Sequence, residues 1–279
     1  MDKLKVALER FESRRFSGGG KNPLDREEVQ KRKNNRSAEN LNQIQYTQTR
    51  IISIPSKQLI DNRVIAAQEM EPAARAFRML RTKLLGEMRL KKWNTLAICS
   101  AMPDAGKSLV SANLAVSMAL EANQSVLLVD LDFKRPSIHK YFSIEPEYGI
   151  LDYLDGYVEL RQALVNPGIE RLVLLPGRKS ALNSSEILSS VNMSLLIDDI
   201  KNYYQSRIVI FDLPPLLLSD DALVLLPKVD GSLLVVEEGK NSEKEIKSAL
   251  DMLKSSQLMG AVLNKSQERS VGYGYYSYG

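Results

Sequence analysis

The chain has 279 residues, enough for one large α/β domain with an appendage. Hydrophobic residues make up 44% and charged residues 26% of it, an ordinary globular composition that excludes wholesale disorder and a collagen-like fold. Because Cys99 is the single cysteine and His139 the single histidine, an intrachain disulfide and a zinc site built from cysteines or histidines are excluded as well.

Location can also be predicted from the composition. The apolar runs are much shorter than the roughly 18 to 20 residues that cross a bilayer, and Met1 to Arg15 is too charged for a signal peptide. We expect a cytoplasmic protein.

The N-terminal segment, residues 1–61, is predicted to be an appendage. Residues 1–60 hold 13 Lys and Arg against 7 Asp and Glu, so the positive charge of the chain is concentrated here. Apolar residues recur at helical spacing from Leu4 to Phe11, and a Gly-rich and polar stretch follows to about Gln48. This pattern predicts an amphipathic helix and a flexible basic linker. The linker is interpreted as a solvated tether, with contact to anionic lipid or nucleic acid as the alternative.

Residues 62–265 are predicted to form one α/β domain. Short apolar runs alternate with helical stretches, and continuous rather than alternating apolar character is typical of parallel strands covered on both faces. We expect a doubly wound, mostly parallel sheet. The predicted strands are Thr95 to Ser100, Ser125 to Leu131, Arg171 to Leu175, Arg207 to Phe211, Gly231 to Val236 and Gly260 to Asn264. Residues 266–279 form a Tyr- and Gly-rich tail that continues neither helix nor sheet.

The first predicted strand leads into a phosphate-binding loop. Ala101 to Ser108 contains Gly-Lys-Ser and precedes the strong helical pattern of Leu109 to Ala122. The side chain of Lys107 is expected to reach the β- and γ-phosphates of a nucleotide, and the hydroxyl of Ser108 to bind Mg²⁺. A strict P-loop has Gly at the position of Ala101. The candidate nucleotide-binding residues are Pro103, Asp104, Ala105, Gly106, Lys107, Ser108 and Leu109.

Acidic residues follow two further strands. Asp130 and Asp132 end the second strand, and Asp212 ends the strand Arg207 to Phe211 in the manner of a Walker B aspartate. Since like charges at the end of a strand repel, a nearby Mg²⁺ is expected, with Ser108, Asp130 and Asp212 as candidate ligands. The alternative is that the first two acids pair with the basic residues just after them in a solvated loop.

The last predicted strand ends in Asn264. Its amide can both donate to and accept from an adenine edge, which makes it a candidate nucleotide-binding residue. The alternative is a turn residue.

Together these motifs resemble those of the bacterial tyrosine kinases of capsule and exopolysaccharide loci, with the exosortase-associated autokinases as the most similar branch. The resemblance is carried by Asp130 to Pro136, by Asp212 to Pro215 and by the Tyr-rich tail, and it extends from about Asn62 to Lys265. It implies a P-loop fold of deviant-Walker type and ATP with Mg²⁺ as cofactors. Lys107, Asp130, Asp132 and Asp212 would be catalytic, with Asp132 as the acceptor of the tyrosine proton.

The resemblance also implies an acceptor and partners. The phosphate acceptors would be Tyr273, Tyr275, Tyr276 and Tyr278, and transfer between subunits is expected. An integral membrane protein of polysaccharide chain-length control or export would act as activator and would hold the chain peripherally at the inner face of the cell membrane. A tyrosine phosphatase would reverse the modification, and a homo-oligomer is possible. No nucleic acid is expected.

Three positions depart from the family pattern. Asp104-Ala105 stands where Gly-Glu is usual, Arg75 replaces the Glu of an oligomerisation motif, and Lys134 replaces an arginine. Two alternatives to a kinase stay open, and the second of them is kept open by Asp104-Ala105. One is an ATP-dependent switch of the partition or division-site type that binds DNA or membrane. The other is a regulatory homologue that binds nucleotide without transferring phosphate.

Overall fold

The computed structural model describes residues 49–121, 124–203 and 207–266. The predicted N-terminal helix, nearly all of the predicted linker and the four candidate acceptor tyrosines lie outside these residues.

The described residues contain an eight-stranded sheet. All neighbouring strands are parallel except β4 and β5. The order across the sheet is β1-β4-β5-β3-β6-β2-β7-β8. The strands are β1 Arg50–Ile51, β2 Thr95–Ser100, β3 Ser125–Asp130, β4 Val165–Asn166, β5 Leu172–Leu175, β6 Arg207–Asp212, β7 Gly231–Glu237 and β8 Gln257–Asn264. The predicted doubly wound, mostly parallel sheet is confirmed.

Helices connect most of the strands. They are α1 Ser56–Asp61, α2 Pro72–Lys91, α3 Lys107–Ala119, α4 Ile138–Tyr141, α5 Ile150–Leu154, α6 Leu160–Ala163, α7 Ser184–Leu188, α8 Val191–Tyr203, α9 Asp221–Leu225 and α10 Glu243–Met252. Short 3₁₀ turns at Leu216–Leu218, Leu226–Lys228 and Leu253–Ser255 complete the connections.

The central strands alternate between two hydrophobic cores, one on each face of the sheet. In β2, Leu96 and Ile98 pack with α2 and α3, whereas Ala97 and Cys99 pack on the opposite face with α8 and α9. The strands β3 and β6 repeat this alternation. Because successive side chains of a strand point to opposite faces, a continuous apolar run is what two covered faces require.

The α/β domain begins earlier than the predicted boundary at residue 62. Arg50 and Ile51 pair with β4, and Leu59 of α1 is buried in the core on the α3 face. A two-residue strand is too short to give a hydrophobic period, so residues 50–61 were indistinguishable from linker by pattern alone.

The carboxyl ends of three adjacent strands meet at one edge of the sheet. β6 lies between β3 and β2, and Asp130 is the register partner of Asp212. The loop that follows β2 therefore faces both aspartates. Ligands of open α/β sheets bind at this edge, where the strands end. Within the described ranges, no helix is both long and apolar enough to cross a membrane.

Candidate active site

The loop between β2 and α3 has the alternating backbone of an anion-binding turn. The angle φ is positive at Asp104 (61°) and at Gly106 (85°), but not at Ala105 between them. Such alternation turns successive N–H groups toward one side, where they bind anions. Helix α3 starts at Lys107, directly after Gly106, so the positive end of its dipole lies at the same place. Pro103 is half-buried in this loop, and Leu109 lies in the first turn of α3.

Lys107 is a buried cation among buried carboxylates. Its Nζ lies 2.9 Å from Asp132 Oδ2, 3.3 Å from Asp212 Oδ2 and 3.2 Å from Ser108 Oγ. Burial alone would lower the pKa of Lys107, but the charges of Asp212 and Asp132 outweigh it and the pKa is raised. Lys107 is therefore charged over the whole physiological pH range.

Asp212, at the end of β6, is tied to the start of α3. Its Oδ2 accepts a hydrogen bond of 2.6 Å from Ser108 Oγ, and its Oδ1 accepts one of 2.9 Å from Ser111 Oγ. Burial raises the pKa of Asp212, against the lowering effect of Lys107 and the two serines. The serine predicted to bind Mg²⁺ and the predicted Walker B aspartate are thus in direct contact.

Asp130 is held by backbone amides rather than by a cation. Its Oδ2 accepts from the N–H groups of Ser137 (2.9 Å) and Ile138 (3.0 Å), and its Oδ1 accepts from that of Asp132 (3.3 Å). Burial, and secondarily Asp212, raises the pKa of Asp130 to about 7. Asp130 therefore organises the segment that carries Asp132.

Asp132 pairs with the lysine of the loop. The alternative pairing with the basic residues just after it does not occur. Lys134 Nζ instead reaches Ser219 Oγ (3.0 Å) and Asp221 Oδ2 (3.6 Å), and Arg135 contributes only its backbone N–H to Asp132 Oδ1 (3.0 Å). One carboxylate oxygen of Asp132 thus faces Lys107, beside the loop.

Asn264, at the end of β8, contacts the loop. Its Nδ2 donates to the carbonyl of Ala105 at 2.8 Å, and the next residue, Lys265, donates from Nζ to the carbonyl of Asp104 at 2.6 Å. Lys265 is also paired with Glu237 Oε2 at 3.1 Å. The structure thus brings Asn264 to the candidate nucleotide-binding loop, where its side chain donates a hydrogen bond to the backbone.

The donor set at this edge fits Mg²⁺. The hydroxyl of Ser108 and the carboxylates of Asp130 and Asp212 are hard oxygen ligands, which Mg²⁺ prefers. Three buried carboxylates face a single buried lysine, so the site carries excess negative charge that a divalent cation would balance. No cluster of three or more His, Cys, Asp or Glu residues arranged to hold a metal by themselves occurs among the described residues. Mg²⁺ would therefore need the serine and phosphate oxygens as well.

Sequence reasoning missed three residues that shape the site. Ser111, one turn into α3, fixes the second oxygen of Asp212. Asn113 is fully buried in the same helix and anchors the segment before α2, with Oδ1 accepting from Ile65 N (2.8 Å) and Ala66 N (3.0 Å). Lys265, whose side chain donates to the carbonyl of Asp104, is the third. Ser111 and Asn113 could have been identified as polar residues on the buried face of a predicted helix.

Sequence comparison finds named tyrosine-protein kinases. The tyrosine-protein kinase Etk of Escherichia coli K12 is 34% identical over 208 residues, which are 74% of this chain and 28% of Etk. The tyrosine-protein kinase YwqD of Bacillus subtilis 168 is 34% identical over 203 residues, 72% of this chain and 84% of YwqD. The chain thus spans less than a third of Etk but most of YwqD. No family model matches the chain.

Comparison with solved structures also finds a tyrosine kinase domain. The kinase domain of Escherichia coli Etk superposes with a TM-score of 0.69 at 30% identity, covering 82% of this chain and 93% of that domain. The cell division ATPase MinD of Pyrococcus furiosus gives a TM-score of 0.53 at 21% identity and covers 63% of this chain and 74% of MinD. The likeness to MinD concerns the fold alone.

Proposed function

Since the chain belongs to the bacterial tyrosine-protein kinases, we propose that it is an ATP-dependent autokinase that phosphorylates tyrosines of its own tail. The observation that carries the proposal is the buried Lys107, held between Asp132 and Asp212 at the start of α3. The proposed acceptors are Tyr273, Tyr275, Tyr276 and Tyr278.

Lys107 and the loop would bind the phosphates of ATP. The N–H groups around Gly106 and the N-terminus of α3 would donate hydrogen bonds to the phosphates, and the positive charge of Lys107 would bind the β- and γ-phosphates. Mg²⁺, held by Ser108 and Asp212, would neutralise charge on the phosphate oxygens. The side chain of Lys107 is only 9% exposed, so its charge acts in a site from which water is largely excluded.

Asp132 would accept the proton of the acceptor tyrosine. A tyrosine hydroxyl has an unperturbed pKa of about 10, so a carboxylate within hydrogen-bond distance assists its attack. The tyrosine oxygen forms a bond to the γ-phosphorus, the bond from phosphorus to the leaving oxygen of ADP breaks, and the proton passes to Asp132. When the phosphates engage Lys107, one oxygen of Asp132 loses its present partner and becomes available for this proton.

Transfer is proposed to occur between subunits. The nine residues Val271 to Gly279 span at most roughly 30 Å when extended, so reaching the site of the same chain would require a sharp reversal after β8. Entry into the site of a neighbouring copy avoids that reversal.

The partners are proposals as well. We expect the phosphorylation to regulate exopolysaccharide polymerisation or export through an integral membrane protein that activates the kinase, and a tyrosine phosphatase to reverse it. The chain would act at the inner face of the membrane.

The proposal is tested by incubating the full chain with ATP labelled at the γ-phosphate and Mg²⁺, with and without candidate activator segments. The unaltered chain is expected to incorporate label, and a chain with all four tail tyrosines changed to Phe is expected to bind ADP normally but to incorporate little. Nucleotide binding without transfer under every condition would support the regulatory homologue, and ATP-dependent co-sedimentation with DNA or vesicles would support the switch.

A further inference from the structure

The end of β8 holds the nucleotide-binding loop by two consecutive backbone carbonyls. Lys265 Nζ donates to the carbonyl of Asp104, and Asn264 Nδ2 donates to the carbonyl of Ala105. We call Asn264 and Lys265 the clamp; they lie 159 and 161 residues after their partners in the loop. This contact therefore joins the loop to the far edge of the sheet, because β8 is the strand beyond β7.

The clamp fixes the direction of two amides. The peptide bonds of the described residues are trans, and in a trans peptide the C=O and the following N–H point in opposite directions. Because the carbonyls of Asp104 and Ala105 face β8, the N–H groups of Ala105 and Gly106 point away from it. Among the described residues, neither N–H has a protein acceptor. Two consecutive free donors on one side of a loop form a phosphate-binding nest.

Lys265 is itself held in place. Glu237, at the end of β7, lies 3.1 Å from Lys265 Nζ and its side chain is nearly buried, so it fixes the lysine. Because an ammonium group has three donors, Lys265 can bind Glu237 and the carbonyl of Asp104 at the same time. The clamp also bears on Asp104, a residue with a side chain that adopts the left-handed φ of 61°. This conformation is unfavourable for a residue with a Cβ, and the hydrogen bond from the charged Lys265 to the carbonyl of Asp104 itself stabilises it.

We infer that Lys265, with Asn264, is a positioning residue that presents the amides of Ala105 and Gly106 to the phosphates of the nucleotide. The inference rests on the proposed function in that it takes the loop to be the nucleotide site. Lys265 touches no reacting atom, so its loss is expected to weaken nucleotide binding rather than to slow the chemistry.

The first measurement needs no nucleotide. In the nucleotide-free protein, Lys265→Met is expected to lower the heteronuclear ¹H–¹⁵N NOE of the Ala105 and Gly106 amides, whereas Lys247→Met is expected to leave it unchanged. Lys247 is a matched control because it lies on α10 and, within the described part of the chain, is paired with Glu243 alone, four residues earlier, at 2.6 Å. Unchanged NOE values in Lys265→Met would overturn the inference even if the protein proved not to bind ATP.

The second measurement uses fluorescent ADP as the probe. Lys265→Met is expected to bind it about tenfold more weakly, as the loss of a charge-assisted hydrogen bond implies. The affinity of Glu237→Gln is expected to lie between those of Lys265→Met and the unaltered chain, and Lys265→Arg is expected to recover part of the lost affinity. In the kinase assay the KM for ATP is expected to rise about tenfold and kcat to change less than about twofold. Wild-type affinity in Lys265→Met, or a kcat that falls with an unchanged KM, would overturn the inference. Failure of the unaltered chain to bind ADP would instead contradict the proposed function.

Discussion

Gly106 is the residue of the loop whose replacement has the most clearly calculable effect. Its φ is 85°, and a Cβ built on it would lie 2.2 Å from Asn264 Nδ2. Gly106→Ala therefore meets two separate penalties. The backbone must hold a left-handed conformation with a side chain present, and Asn264 must leave the carbonyl of Ala105, to which it now donates at 2.8 Å.

The two penalties can be summed from typical magnitudes. A left-handed residue with a Cβ costs about 1–2 kcal/mol, and the loss of one hydrogen bond costs about 0.5–1.5 kcal/mol. We expect Gly106→Ala to lower the free energy of unfolding by about 1.5–3.5 kcal/mol, which for a domain of this size lowers Tm by about 3–14 °C. The affinity for ADP should fall as well, because the amide of residue 106 is displaced.

The matched control is Gly239→Ala. Gly239 also has a positive φ, 71°, but a Cβ built on it meets no atom within 4 Å. It therefore carries only the backbone penalty of about 1–2 kcal/mol. Chemical denaturation and thermal melting of both variants, and of Gly106→Ala combined with Asn264→Ala, separate the two terms. Because the double variant removes the clash, its destabilisation should be smaller than the sum of the two single ones. If Gly106→Ala lowers the free energy of unfolding no more than Gly239→Ala does and binds ADP normally, Asn264 does not contact the loop as described.

Three further predictions concern other parts of the domain. Asp132→Asn should slow phosphotransfer at least a hundredfold, as loss of a general base does, while ADP affinity changes much less; comparable losses in both would contradict its role. Asp230 accepts from Thr95 N, Thr95 Oγ1 and Lys201 Nζ, so Asp230→Asn should destabilise the fold by about 1–3 kcal/mol at pH 7. The hydrogen bond from Lys201, with those of Asn94 and Thr95, outweighs burial and lowers the pKa of Asp230. Its stabilising effect is therefore present above the unfolded pKa of about 4 and lost as pH falls through the folded value, so urea titrations of the two proteins should converge in acid and not in base. Burial, and secondarily Asp212, raises the pKa of Cys99 to about 12, so its thiol should react with a disulfide reagent at pH 8 only after denaturation; rapid reaction in the native protein would place Cys99 at the surface.

The local parts of the site could be predicted from the sequence. A strand, a Gly-Lys-Ser loop and a helix follow one another within 25 residues, from Thr95 to Ala119, so their arrangement is dictated by neighbouring residues. Asp130 and Asp212 could be placed as well, because each ends an apolar strand and parallel strands end at the same edge.

The long-range contacts could not be predicted. Asn264 was recognised as a strand-end amide, but its partner, Ala105, lies 159 residues earlier, and no spacing rule connects them. The contact depends on the order of β7 and β8 at the sheet edge, which only the assembled sheet reveals. The edge strand β1 was missed because two residues that pair with β4 give no period.

The site around Lys107 is proposed to transfer phosphate to tail tyrosines of a neighbouring chain. This proposal is tested most directly by mixing two variants with labelled ATP and Mg²⁺. One is Lys107→Met, which lacks the phosphate-binding charge but keeps its tail; the other has an intact site, with Tyr273, Tyr275, Tyr276 and Tyr278 changed to Phe. Label on the Lys107→Met chain is the predicted result. No label on that chain, while unaltered chains label themselves at a rate independent of concentration, would contradict it.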